Sequence, residues 1–142
     1  MLKRASGDEW RANALQAIND FDRALAIDPE MVPTLFNRGN AHRRNDDPAH
    51  AALDYSLVLA LEPDHGLAYF SRAGAHRALG DAESALEDLE TFLRLGGEAL
   101  KLSWRRRLAK HGVYRRDVDG APPLRQSIRA CIADPTCYLP AL

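Results

Sequence analysis

Residue types able to do chemistry cluster in a few places along the 142-residue chain. The densest is HGVYRRDVDGAPP, residues 111 to 123, where Arg115 and Arg116 precede two carboxylates, Asp117 and Asp119. Asp117-x-Asp119-Gly120 has the opening of a calcium loop. The later carboxylates that an EF-hand requires are replaced by apolar residues and proline, so these acids read as turn formers and no metal is implied. The triplet AHR occurs twice, at 41–43 and 75–77, and a His–Arg couple suits acid–base or metal chemistry. His50, His65 and His111 show no ligand spacing with one another or with cysteine. No H-E-x-x-H, nucleophile elbow or phosphate loop is present. The sequence therefore points away from an enzyme and implies no cofactor. Cys131 and Cys137, in CIADPTC, stand at a helix end and the turn beyond it. A disulfide there would staple the C-terminus; two buried thiols are the alternative, and both readings stay open.

Composition sets the frame for these residues. With 46% apolar and 27% charged residues, the chain suits one domain, or a small domain with an appended module. No apolar run approaches the roughly 18 residues of a membrane span. The start, MLKRASGDEW, lacks the apolar stretch of a signal peptide. The expectation is a cytoplasmic protein as the sequence stands, or a periplasmic one if a leader precedes it. Charge is uneven: residues 1–97 carry 10 Lys/Arg against 16 Asp/Glu, and residues 98–142 carry 9 against 4. A basic tail beside an acidic body suggests that the two complement each other, with an anionic partner as the other option. No interleaving of aromatic and basic residues suggests nucleic-acid binding.

Pro29 and Pro63 are 34 residues apart, and on that period the chain forms three ungapped rows starting at Leu2, Phe36 and Phe70. Arg4, Arg38 and Arg72 share a column, followed by the small residues Ala5, Gly39 and Ala73. Ala17, Ala51 and Ala85 align, as do Asp20, Asp54 and Asp88; Phe21, Tyr55 and Leu89 come next, and Leu25, Leu59 and Leu93 after them. The second half of each row repeats apolar residues at i, i+4, i+7 and i+8, one face of a helix: Ala17, Phe21, Ala24 and Leu25, then Ala51, Tyr55, Val58 and Leu59. Asp47 and Asp81 have N-cap chemistry. Asp28-Pro29 and Glu62-Pro63 end helices, because the residue before proline is pushed out of the α region.

This pattern resembles the tetratricopeptide repeat (TPR), a 34-residue helix–turn–helix with small residues at set positions and a closing proline. In the second row the motif falls on Leu35, Gly39, His42, Ala51, Tyr55 and Pro63. In the third it falls on Tyr69, Ala73, His76, Ala85 and Leu89, with Gly97 in place of proline. His42 and His76 then occupy a packing column and read as structural. The resemblance implies an all-α, TPR-type helical-hairpin solenoid of three repeats, about 1–31, 32–65 and 66–97. Residues 98–142 would form a small helical cap. It also implies a non-enzymatic protein–protein interaction or scaffold role, with a peptide or partner helix held in a concave groove. By column that groove displays Leu2, Lys3 and Ser6, then Phe36, Asn37, Asn40, Arg43 and Arg44, then Leu67, Phe70, Ser71 and Arg77. Phe36 and Phe70 would form apolar pockets and Asn37 would clamp a peptide backbone. The arginines would favour carboxylates. Chaperone-tail binders of this family need cations where Leu67 and Ser71 stand, so that particular ligand is not implied.

Beyond Gly96-Gly97 the period stops. EALKLSWRRRLAKHG places Leu100, Trp104 and Leu108 at helical spacing, with Gly112 as a C-cap. LRQSIRACIAD is a second amphipathic helix, and VYRRDVDGA links the two. This segment resembles the helical peptidoglycan-binding domain through Trp104, Leu108, Gly112, Tyr114, Val118, Asp119, Gly120 and Arg125. It departs from that pattern at Arg116 and at Ala121-Pro122-Pro123. The resemblance implies an alternative role, a bacterial envelope protein whose tail binds peptidoglycan through Tyr114 and Arg125.

Overall fold

A computed structural model describes residues 6–110, 112 and 124–137. It contains six helices: α1 (Gly7–Ile27), α2 (Val32–Arg44), α3 (Pro48–Leu61), α4 (Gly66–Ala78), α5 (Ala82–Lys110) and α6 (Leu124–Ala133). Each packs on the next, and α2 also touches α4. This is the all-α solenoid of helical hairpins that the period implies. No helix among the described residues is long and apolar enough to cross a membrane.

Local chemistry sets the helix ends. Ser6 and Glu9 close a capping box on α1, with Ser6 N–H donating to Glu9 Oε2 at 2.7 Å. The Asp47 carboxylate accepts from His50 N–H at 3.1 Å, and Asp81 accepts from Ser84 N–H at 3.1 Å. These caps satisfy backbone donors that a first helical turn leaves free. The turns α2–α3 and α4–α5 pass through Asp46 (φ 63°) and Gly80 (φ 79°), which share a column of the repeat. Glycine adopts this left-handed conformation freely and Asp tolerates it.

The first row departs from the other two. The period places a turn at Arg11-Ala12-Asn13, yet α1 runs through it unbroken from Gly7 to Ile27. Ala12 occupies the column of Asp46 and Gly80. Alanine is the best helix former and is disfavoured at positive φ, so the helix continues. Its buried residues Ala14, Ile18 and Leu25 form one stripe.

Small residues allow the hairpins to close. A Cβ on Gly39 would sit 2.7 Å from the Tyr55 ring, which is fully buried. In the third row Ala73 and the smaller Leu89 take these two columns, so the hairpin keeps its volume with the sizes redistributed. At the far end α5 breaks at Gly97 (φ 76°, ψ −172°), where the period stops. Trp104 and Leu108 then join Phe92, Leu93, Ile128, Cys131 and Ile132 in one core. Fully burying each such aliphatic side chain stabilises the fold by about 2 kcal/mol.

Charge complementarity follows the same join. Arg125 pairs with Glu90 at 2.6 Å and Arg129 with Glu83 at 2.9 Å, linking basic α6 to the acidic body. Cys131 and Cys137 form a disulfide, with Cα atoms 5.2 Å apart. Of the two states left open for this pair, the structure holds the oxidised one.

Candidate functional site

The face expected to bind lies on α2 and α4, and its residues divide into displayed and committed ones. Asn37, Arg43 and Arg44 are exposed. The Asn37 amide makes no hydrogen bond among the described residues. Arg43 reaches across to α4, because Gly74 there leaves room: a Cβ at that position would lie 3.4 Å from the guanidinium Nη2. Asn40 accepts a 2.6 Å hydrogen bond from the Tyr55 hydroxyl, which fixes its carbonyl oxygen and leaves the NH₂ to donate. Burial pushes the Tyr55 phenol above its ordinary pKa, opposed by Arg43 and Ser71 close to the hydroxyl. Tyr55 therefore stays a neutral donor in this network.

Several expected groove residues have other positions. Phe36 is half-buried between Tyr55 and His65, with ring centroids 5.6 and 5.2 Å away. Phe70 packs on Phe92 at 5.1 Å and edge-on to Trp104 at 6.3 Å. Both rings serve the core more than they line pockets. Ser71 is buried, 7% exposed, and is not displayed. The Arg77 guanidinium is turned to the C-terminal loop, where Nη2 donates to the carbonyls of Cys131, Asp134 and Cys137 at 3.2, 2.8 and 3.0 Å. The carbonyls of Cys131 and Asp134 also accept the backbone N–H of Asp134 and Cys137; a cation here complements the negative end of α6, which is why Arg77 does not face the groove. Ser6 is the α1 N-cap; Leu2 and Lys3 lie outside the described residues.

The aligned Arg and Asp columns form a ladder that the sequence shows only as two separate columns. Arg38 grips Asp54 through two bonds of 2.9 and 2.7 Å, and Arg72 grips Asp88 through bonds of 2.8 and 2.7 Å. Each arginine's third contact crosses to the preceding helix in the same column: Arg38 to Asp22 at 2.9 Å, Arg72 to Ser56 at 3.1 Å. Paired, charge-assisted bonds of this kind tolerate burial, and Asp54 and Asp88 are 3% and 5% exposed. The carboxylates hold both guanidinium groups firmly protonated, with the Asp54 and Asp88 bonds the leading causes.

The histidines fill the space beside this ladder. His42 Nε2 lies 3.9 Å from Asp54 and His76 Nε2 lies 3.7 Å from Asp88. His65 caps α4, accepting from Ala68 N–H at 3.1 Å. His50, which shows no ligand spacing to His65 or His111, instead stacks on His42 with centroids 5.2 Å apart. It also shares the Asp47 carboxylate with His42. The missed signal is an i, i+5, i+8 spacing that becomes proximity only across the α2–α3 turn. His111 and Tyr114 lie outside the described residues. Arg125, the other candidate glycan contact, is held on α5 by Glu90.

Hairpins of this register, with small residues at the contacts and a repeated Arg–Asp ladder, define a tetratricopeptide-repeat fold. Among solved structures the chain is similar to one described as the first TPR of Spaghetti (RPAP3) bound to HSP90 peptide SRMEEVD. The two are 26% identical with a TM-score of 0.59, over 74% of this chain and 86% of that one. No family model matches the sequence, and no curated protein matches it.

Proposed function

We propose that the chain is a non-enzymatic interaction module that binds an extended peptide or partner helix carrying carboxylates across α2 and α4. Residues 1–97 act as the three-row array and residues 98–142 as its cap. The observation that carries this reading is the exposed set Asn37, Arg43 and Arg44, with Arg43 laid over the open backbone at Gly74. An unpartnered amide offers a donor and an acceptor to a peptide backbone, and the guanidinium groups suit carboxylates. The similarity to a TPR domain holding an acidic peptide supports the ligand class. Leu67 and the buried Ser71 on α4 leave that helix without cations at the columns where chaperone-tail binders use them, so internal carboxylates are favoured over a free C-terminus. Arg77, committed to the cap, stays outside the binding set.

The test is fluorescence anisotropy on acidic peptides, SRMEEVD among them, each with a free and an amidated C-terminus. Asn37→Ala/Arg43→Glu/Arg44→Glu should weaken the best binder at least about 10-fold, the loss of one or more charged hydrogen bonds. Amidation should change little. A triple variant that binds as tightly as wild type would refute the assignment.

A further inference from the structure

We propose that His42, Asp47 and His50 bind one divalent transition-metal cation of the zinc class at the α2–α3 turn. One ligand atom from each of the three lies within 4.8 Å of the others. The Asp47 Oδ2 atom is 2.6 Å from His50 Nδ1 and 3.7 Å from His42 Nδ1. Zinc bonds of about 2.0–2.2 Å in tetrahedral geometry require ligand atoms about 3.3–3.5 Å apart. The carboxylate–His42 separation matches this within a few tenths of an ångström, and the His50 contact needs only a small opening at an exposed side chain.

A second observation points to a ligand. His42 Nδ1 is buried and has no hydrogen-bond partner, an arrangement that costs free energy unless something occupies the lone pair or satisfies the proton. Its other nitrogen faces Asp54, which Arg38 holds in place. A ligating imidazole backed by a carboxylate is the usual outer support of a zinc site. The chain supplies three ligands and leaves a fourth position for water or a partner's side chain.

The third row provides an internal control. His76 and Asp81 occupy the equivalent columns, 4.0 Å apart, and Asp81 caps its helix just as Asp47 does. The column of His50 holds Ser84, so that turn has two ligands instead of three. One substitution therefore separates a binding turn from a non-binding one.

The experiment uses the full chain without a histidine tag, stripped with chelator. It is titrated with Zn²⁺ by calorimetry and with Co²⁺ by visible absorption. Wild type should bind one equivalent, His76→Ala should bind like wild type, and His50→Ser should bind at least about 10-fold more weakly. Circular dichroism checks the fold of His50→Ser, which places in this turn the residue that the third row already tolerates. Ser84→His should raise the stoichiometry from one to two. No saturable uptake by wild type, equal binding by His50→Ser, an equal loss in His76→Ala, or a Ser84→His chain that stays at one equivalent would each overturn the proposal.

Discussion

The second and third rows have the same skeleton and different contents. Both have a bidentate Arg–Asp pair, a capping Asp and a left-handed residue before it. Around that skeleton the second row places Gly39 against Tyr55, Asp46 in the turn and His50 after the cap. The third has Ala73 against Leu89, Gly80 and Ser84. The shared positions make a hairpin close and stack. The differing ones decide what each hairpin's surface can do, and the second row concentrates the exposed polar side chains and the imidazole pair.

If the ladder is the shared frame, breaking it should cost the same in both rows. Asp54→Ala and Asp88→Ala each take the bidentate acid from a partly buried arginine, leaving Arg38 its bond to Asp22 and Arg72 its bond to Ser56, and should each lose about 3 kcal/mol in urea unfolding. Values differing by more than about 1 kcal/mol would show that the rows are not equivalent. Next in size, Gly39→Ala forces a methyl into the Tyr55 ring and should cost about 1–3 kcal/mol. Adding Tyr55→Leu, the third-row choice, should recover part of that loss in the double variant.

A smaller effect belongs to the turns. Gly80→Ala at φ 79° should cost about 1 kcal/mol by thermal melting, whereas Asp46→Gly should be neutral or stabilising. The smallest involves the exposed cap of α5. The Ser84 side-chain and backbone hydrogen bonds hold the Asp81 carboxyl below its ordinary pKa. A depressed carboxylate contributes stability above its unfolded pKa and loses it as pH falls through the folded value. The stability gap between wild type and Asp81→Asn should therefore shrink on going from pH 7 to pH 3. A gap that widened on acidification would reverse the assigned sign.

Much of the fold is visible in the period itself, since equivalent columns of the second and third rows fold alike. Asp47 and Asp81 announce helix starts, and Asp28-Pro29 and Glu62-Pro63 announce ends. What the columns do not say is which of them touch. Arg38 meets Asp54 sixteen residues away because two helices run back alongside each other, and no local rule links such positions. His42, Asp47 and His50 escape notice for the same reason. The first row misleads differently: its columns match, but a single alanine at the turn lets helix propensity override the repeat. Arg77 shows a further limit. Its column fits a groove, and only the docking of residues 131–137 reveals the carbonyls that claim it.

The ladder also makes the second and third rows interchangeable. Arg38 and Arg72 each bind an acid within their own hairpin and then a polar atom on the helix before it, so the preceding helix presents at its trailing edge what the next arginine requires. Gly39 and Tyr55 settle their closest fit inside one hairpin, and Tyr55 meets the next hairpin at Ala75. A 34-residue cassette duplicated between α3 and α4 would find compatible partners on both sides, and the array would lengthen without redesign of either end.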